Sequence, residues 1–459
     1  MKKFGIALLL ALTGFSSSAF ASGLAIPEQG AASMGLSAAV TARAHDLSVI
    51  YYNPAGLDYV EKGEALIGLT PIRPNHQYEG AGISSETVSK TFMPPQAYIA
   101  YRTHPRVVLG LGVFAPYGLG TNWDKGWVGR YTSTFAEVQA VYVNPSASVK
   151  ITNWLSLGAG VSFIYSTATI EKMVDSGLAT YSQTKNAGAI ASTSYDSKFR
   201  LDGEGGGATW NLGLLLRPSK TWQVGVSYRE KADLDFTGDA QFTHQNFLAA
   251  ALSKSMPSTQ EGKTTLNLPS VLSAGLLYNI NDRWDASFDV NFTKWSVYDK
   301  LVIKLDKELP AKQIVQNKNW EDTQTYRFGT SFAWSPLTVL RGGLMFDQSP
   351  VPDATIDAQL PDGDRIGASV GFGRKVGMFT FDFSYLFLKF ADHDKNNFVG
   401  YSDVTDTFPP TAQSKPDGVV NLADQNMLAA MRGGAEYPVG SGTYKSYANL
   451  FSLSASIKF

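Results

Sequence analysis

The chain has 459 residues, a formal net charge of −1 and no cysteine. A balance so close to neutral gives no sign of a polyanionic partner, so no nucleic-acid partner is expected. The missing cysteines exclude disulfides, thiolate metal sites and cysteine catalysis.

The first 21 residues have the three parts of a secretory signal. Lys2 and Lys3 provide positive charge, residues 6–12 are apolar, and residues 19–21 (AFA) form an A-x-A cleavage site. The mature chain is therefore predicted to begin at Ser22. The apolar run is too short to span a membrane, and no later run approaches the required length of about 20 residues. An exported chain of this kind is either soluble or a membrane barrel.

Residues 22–60 differ from the rest of the chain in composition. They are rich in alanine, glycine and serine, show no alternation of apolar and polar residues, and include the turn-forming run NPAGL at 53–57. We interpret them as a compact, irregular N-terminal segment.

From residue 61 onward the chain is dominated by segments in which apolar and polar residues alternate. Residues 284–293 (WDASFDVNFT) and the final stretch 451–459 (FSLSASIKF) are clear examples. Because successive side chains of a strand point to opposite faces, this period of two predicts strands with one apolar face. Counting such segments predicts 14 strands.

The spacing of these segments favours a membrane barrel over a soluble sandwich. Very short polar turns such as 152–153 and 281–283 alternate with longer polar stretches, namely 119–133, 172–203, 237–262, 300–318, 349–362 and 391–444. Trp154, Trp222 and Trp284 each follow a short turn, as in the aromatic girdle of an outer-membrane barrel. In lipid, a sheet must also close so that no edge amide is left unpaired. The sequence thus predicts an all-β transmembrane antiparallel barrel over residues 61–459, in the outer membrane of a Gram-negative bacterium.

Enzyme function has little support. The five histidines are scattered, and the chain contains neither a G-x-S-x-G elbow nor an H-E-x-x-H motif. No cofactor or metal is expected. Among functions of a membrane barrel, a general diffusion porin is the serious alternative to a plugged channel. A porin would have a charge-lined lumen and no N-terminal plug.

Six short motifs carry a resemblance to the FadL/TodX family of outer-membrane transporters of hydrophobic compounds. They are residues 22–29 (SGLAIPEQ), 53–57 (NPAGL), 115–119 (APYGL), 127–131 (WVGRY), 266–269 (LNLP) and 346–352 (FDQSPVP). They occur in the family's order and span nearly all of the mature chain.

The resemblance implies a monomeric 14-stranded barrel with residues 22–60 folded inward as a plug, or hatch. It further implies uptake of long-chain fatty acids or, alternatively, of monoaromatic hydrocarbons, released sideways into the outer-membrane lipid where the third strand kinks. That kink would fall at Pro116, Tyr117 and Gly118, because proline cannot donate to the ladder and glycine permits the bend. An ordinary strand end is the alternative. The hatch residues Asn53, Pro54 and Ala55 would face the opening.

The same resemblance suggests which residues touch the ligand. Lys172 matches the family's basic residue after the fifth strand, although a solvated lysine paired with Glu171 is the alternative. The second basic position is occupied by Gln316, with Lys312 and Lys318 as neighbours, so a two-point clamp on a carboxylate is in doubt and Lys318 is the candidate there. Leu24 matches an apolar ligand contact near the mature N-terminus.

Overall fold

The computed structural model describes residues 23–80, 83–174, 193–244, 259–306, 313–395 and 442–459. The predicted signal peptide lies outside these ranges. Within them, no helix combines the length and the apolar character needed to cross a membrane.

Strands dominate the described residues. In chain order they are β1 (Gly63–Leu69), β2 (Ile72–Gly80), β3 (Ile83–Glu86), β4 (Pro95–His104), β5 (Val107–Asn122), β6 (Phe135–Lys150), β7 (Leu155–Val174), β8 (Ser197–Leu216), β9 (Trp222–Arg229), β10 (Ala232–His244), β11 (Thr259–Leu268), β12 (Val271–Asn281), β13 (Trp284–Thr293), β14 (Lys300–Leu305), β15 (Gln313–Asn317), β16 (Thr323–Ser335), β17 (Thr338–Asp347), β18 (Arg365–Val376), β19 (Phe379–Phe390), β20 (His393–Lys395) and β21 (Gly442–Lys458). The helical pieces are short: α1 (Ala31–Met34), α2 (Val49–Tyr52) and the 3₁₀ turns Pro54–Tyr59, Thr193–Tyr195 and Trp295–Val297.

These strands form a closed antiparallel barrel of 14 transmembrane strands, as predicted. Six transmembrane strands consist of two pieces each, namely β1 with β2, β9 with β10, β11 with β12, β13 with β14, β15 with β16, and β19 with β20, while β3 is a short addition to β2. The first strand pairs with the last, with Gly68 opposite Ser454, and this pairing closes the sheet. Several strands are longer than predicted at the end with the long loops: β5 reaches Asn122 and β7 reaches Val174.

The alternation seen in the sequence separates the two faces of the wall. Along β19, Phe379, Phe381 and Phe383 are exposed, whereas Asp382 and Ser384 at alternate positions are buried. A row of exposed phenylalanines is stable only against lipid, so the apolar face is the outer one. At the short-turn end, the inner face carries small and polar side chains, such as Ser452, Ser454 and Ser456 of β21.

The aromatic residues next to the short turns also face outward. Trp154, Trp222 and Trp284 are exposed beside the connections β6–β7, β8–β9 and β12–β13. Their common position at one end of the strands is typical of the interfacial aromatic girdle of membrane barrels.

Residues 23–60, which we call the N-terminal segment, pack against inward-facing positions of strands from different parts of the barrel. Helix α1 contacts β18, β19 and β21, α2 contacts β5, and the 3₁₀ turn at 54–59 contacts β6, β7 and β8. Most of these residues are buried, and none is fully exposed. The approach at β7 is so close that a Cβ on Gly158 would lie 2.2 Å from the backbone nitrogen of Ala55, so only glycine fits there.

Ion pairs attach the N-terminal segment to the wall. Asp58 accepts hydrogen bonds from Arg217 at 2.9 Å and from Ser156 at 2.8 Å, and Arg43 binds Asp285. Because these groups are largely buried, removing one partner would leave an uncompensated charge. The segment is therefore held by charge as well as by packing.

Candidate functional site

The third transmembrane strand, β5, is irregular at the predicted residues. Its pairing with β4 ends at Phe114, opposite Gln96. On its other side the register with β6 shifts between Phe114 and Tyr117, so Ala115 and Pro116 together face one residue of β6. This is a β-bulge, and Pro116 lies in it because it has no N–H to offer to the ladder.

The N-terminal segment replaces β4 as the partner of β5 beyond the bulge. Ile26 N donates to Pro116 O at 2.8 Å, and Gly118 N donates to Leu24 O at 2.9 Å. The side chain of Gln29 donates to Ala115 O at 3.0 Å. These bonds satisfy backbone groups that the sheet leaves unpaired, which is necessary where water is excluded.

Asn53 was expected to face this opening, but its side chain lies elsewhere. Its Nδ2 donates to Thr41 O at 2.8 Å and to Leu214 O of β8 at 3.0 Å, and its Oδ1 accepts from Ala55 N at 3.2 Å. Asn53 therefore caps the 3₁₀ turn and attaches it to β8, away from the kink. Pro54 and Ala55 follow it to the wall, where Ala55 O accepts from Ser148 Oγ at 3.1 Å.

A cavity of about 250 Å³, here called the wall cavity, lies beside the break in β5. It is bounded by the bulge residues Ala115, Tyr117 and Gly118, by residues 90–94 before β4, and by inward-facing side chains of β2, β19 and β21. Pro94 and Pro95 explain why no strand fills this place, because neither residue can donate to a ladder with β5.

The side chain of Phe92 fills the space between its own segment, residues 90–94, and β5. Its ring lies on Gly120, where a Cβ would come within 1.8 Å of the ring. Lys90 flanks it, with Nζ 2.8 Å from Glu137 Oε2 and 5.1 Å from the centre of the Phe92 ring. Sequence analysis identified neither Lys90 nor Phe92. The Pro94-Pro95 pair was the signal that could have indicated an interruption of the sheet here.

A second cavity of about 80 Å³, the lumen cavity, is almost entirely apolar. The side chains that line it include Leu24, Ile170, Leu201, Phe236, Leu266, Tyr298 and Ile303. The predicted contact Leu24 is thus in a position to touch an apolar ligand. Since Leu24 also binds Gly118 through its carbonyl, the same short segment contacts both this cavity and the kink.

Lys172 lies near one end of the lumen cavity. It is inside the fifth transmembrane strand, β7, rather than after it, and pairs with Phe199 of β8. Because side chains alternate, Lys172 shares a face with Ile170, which lines the cavity. Glu171 points to the opposite face, where Lys198 binds it at 2.8 Å.

Lys318, the other predicted basic residue, is buried in an ion pair. Its Nζ donates to Asp357 Oδ2 at 2.9 Å, and both charges act on the hydroxyl of Tyr298. Gln316 lies nearby in β15, whereas Lys312 lies outside the described residues. In the described part of this region, Lys318 is already paired with Asp357 and Gln316 is uncharged.

Asp362, which sequence analysis did not identify, holds the start of the N-terminal segment. It lies between β17 and β18, and its Oδ2 accepts from Gly23 N at 3.0 Å and from Ser349 Oγ at 3.1 Å. Burial raises the pKa of this carboxyl to about 7, although the positive charge of Arg365 partly lowers it.

The Asp362→Asn substitution is expected to flatten the pH dependence of stability. Between the ordinary carboxyl pKa of about 4 and the folded value, the folded state keeps a proton that the unfolded state has lost, so the free energy of unfolding falls as pH rises. Denaturant midpoints at pH 5 and pH 8 measure this slope. Glu321→Gln, at an exposed carboxylate between β15 and β16, is the control. An unchanged slope in Asp362→Asn would contradict the assignment.

Comparison with known proteins identifies the family. The profile described as "Outer membrane protein transport protein (OMPP1/FadL/TodX)" matches residues 12–419. A putative outer membrane protein of Neisseria meningitidis serogroup B is 29% identical over 409 residues, covering 81% of this chain and 86% of the relative. The long-chain fatty acid transport protein of Escherichia coli K12 is 23% identical over 389 residues, covering 80% and 87%.

Solved structures show the same fold. A Pseudomonas aeruginosa FadL homologue matches with a TM-score of 0.77 at 18% identity, covering 95% of this chain and 100% of that one. The Pseudomonas putida toluene transporter TodX matches with a TM-score of 0.67 at 13% identity, covering 96% and 99%. The chain therefore belongs to the OMPP1/FadL/TodX family and is an outer-membrane channel for hydrophobic compounds, not an enzyme.

Proposed function

We propose that this channel takes up long-chain fatty acids and releases them sideways into the outer membrane. The observation that carries the proposal is the apolar lumen cavity, which has Leu24 in its wall and Lys172 near its end. An acyl chain gains free energy by leaving water for such a lining, and the carboxylate needs a charged donor close by. Curated relatives named as long-chain fatty acid transport proteins support the same substrate class.

Lys172 is assigned to the carboxylate. It lies on the same strand face as the apolar residues that would hold the chain, so head group and chain could be bound together. Lys318 is less suited, because Asp357 already compensates its charge. A single charge-assisted bond, rather than a two-point clamp, would then orient the ligand.

The Lys172→Ala substitution is expected to weaken oleate binding by about 1.5–3 kcal/mol, the range for a hydrogen bond to a charged group. Titration calorimetry with oleate and with methyl oleate measures the effect, and only the charged ligand should lose affinity. The control is Lys294→Ala, since the exposed Lys294 side chain pairs with Asp322 and lines none of the cavities described. Unchanged oleate affinity, with the barrel intact, would argue against the assignment and for a neutral substrate.

In this proposal residues 22–60 act as the plug that keeps the lumen from being an open pore. Their burial and their attachment through Asn53, Asp58 and Arg43 support a plug that stays in place. This argues against the general diffusion porin, which needs an open lumen. Ligand would move along residues 24–26 of the N-terminal segment into the wall cavity and leave through the break at Pro116, Tyr117 and Gly118. Such a channel works as a monomer in contact with lipid.

A neutral monoaromatic hydrocarbon is the second candidate. It is favoured by one observation: the basic side chains Lys90 and Lys318 near the cavities are both compensated by carboxylates. A substrate without charge would need neither of them. Competition between toluene and oleate for the purified protein separates the two substrate classes.

A further inference from the structure

A third cavity, of about 60 Å³, differs from the other two in being polar. It lies between the N-terminal segment and β9, β12, β13 and β16, and we call it the arginine cavity after Arg229 and Arg327. Tyr51, Tyr52, Ser227 and Asn291 also line it. Tyr117 of the kink lines both this cavity and the wall cavity, so the two are neighbours.

Arg229 is buried without an acidic partner in the described part of the chain. It is 6% exposed, donates to Tyr51 O at 3.0 Å and Ser162 Oγ at 3.4 Å, and lies over the rings of Tyr51 and Phe114. Arg43 and Arg217, which also lie between the N-terminal segment and the wall, each bind an aspartate. A buried charge without a counter-ion is costly, so this one is expected to serve a ligand.

Arg327 presents an unused donor beside it. The residue is 2% exposed, and its Nη1 donates to Ser37 O at 2.9 Å, while its Nε is buried with no hydrogen-bond partner among the described residues. Its closest acid, Asp347, lies 3.8 Å away and is bound more closely by Arg365, at 2.8 Å. The cavity therefore offers hydrogen-bond donors and positive charge with room for an anion.

We propose that the arginine cavity is a second binding site for the carboxylate of the transported fatty acid. This inference rests on the proposed function. The cavity has room for a carboxylate but not for a long acyl chain, which would pass Tyr117 into the wall cavity. Held in this way, the ligand points its apolar end toward the opening in the wall, so the chain enters lipid first and the head group last.

Locating the head group tests the site directly. Crystals of the complete barrel are soaked with 2-bromohexadecanoate, whose bromine is next to the carboxylate, and its anomalous signal is mapped. The expected result is a bromine peak in the arginine cavity in addition to one near Lys172. A bromine peak near Lys172 alone would overturn the second site. The arginine cavity would then contain only water.

Transport kinetics provide an independent readout. Arg229→Gln should slow oleate uptake into vesicles by about tenfold, the equivalent of one charge-assisted hydrogen bond, while uptake of methyl oleate stays unchanged. Arg229→Lys should recover part of the rate. The matched control is Arg341→Gln combined with Asp382→Asn, which removes a compensated pair that is also inside the barrel.

The two proposals fail differently. If the native protein neither binds nor carries oleate, the fatty-acid assignment is wrong. If oleate uptake is normal in Arg229→Gln and no bromine lies between the arginines, only the second site is wrong. Should Arg229→Gln not fold, the bromine position in the native protein decides alone.

Discussion

Replacing Gly118 by arginine is expected to abolish uptake of hydrophobic substrate while the barrel still folds. The Cβ of any side chain here would lie 2.8 Å from Ile26 Cδ1, a flexible group that can move aside. The guanidinium would then occupy the apolar space beside the break in β5. A charge in an apolar environment at membrane depth costs about 2.5–3.5 kcal/mol. If the barrier to the passing apolar ligand rises by an amount of this order, uptake should fall by about 100-fold.

Uptake of radiolabelled oleate by cells, together with heat modifiability of the barrel on gels, measures transport and folding separately. The matched control is Gly126→Arg, which places the same side chain at an exposed glycine in the loop between β5 and β6. Native uptake by a correctly inserted Gly118→Arg protein would exclude lateral exit at this point. A route downward through the N-terminal segment would then be the better explanation.

Loss of the Asp347 side chain is expected to have the largest effect on stability. This carboxylate is fully buried at the end of β17 and accepts from Arg365 Nε at 3.0 Å and Nη2 at 2.8 Å, with Thr325 Oγ1 as a further donor. Asp347→Ala leaves the Arg365 charge uncompensated and also removes the closest acid to Arg327. Breaking such a buried pair from one side costs about 3–5 kcal/mol.

Denaturant unfolding of the lipid-reconstituted protein, followed by tryptophan fluorescence, measures this loss. Asp347→Asn keeps the shape of the side chain and part of its hydrogen bonding, so this variant should lose less stability. Glu321→Ala removes an exposed carboxylate just before β16, the strand that pairs with β17, and should leave the midpoint unchanged. If Asp347→Ala unfolded at the native midpoint, the buried arginines would have to be compensated by other groups.

The barrel was predictable from the sequence because the pattern that identifies each strand lies within a short run of neighbouring residues. Alternation in β13 and β19 depends only on neighbouring residues, and each strand repeats the same pattern against lipid. Strand ends were less predictable, since no alternation of apolar and polar residues marks β5 beyond residue 117 or β7 beyond residue 171.

The contacts of the site were harder to predict because they join distant parts of the chain. Pro116 marked the irregularity in β5, but nothing local to Asn53 shows that its amide reaches Leu214 in β8. Likewise, the pairing of Leu24 and Ile26 with the kink depends on how the whole N-terminal segment lies. Asp362 and Arg229 gave no signal, since a single charged residue in sequence does not reveal whether it is buried.

The tight approach of the N-terminal segment to Gly158 has a consequence for the order of assembly. Equally close backbone contacts occur at Gly225 and Gly343, where a Cβ would come within 2.0 Å of Thr41 O and 2.5 Å of Leu36 C. These three glycines belong to separate strands, β7, β9 and β17, while the seam joins β1 to β21. A chain fitted so closely on several sides has no clearance to slide in along the axis of a finished cylinder. We therefore expect the seam to close around residues 23–60 rather than before they enter, so that this segment would guide the last step of barrel formation.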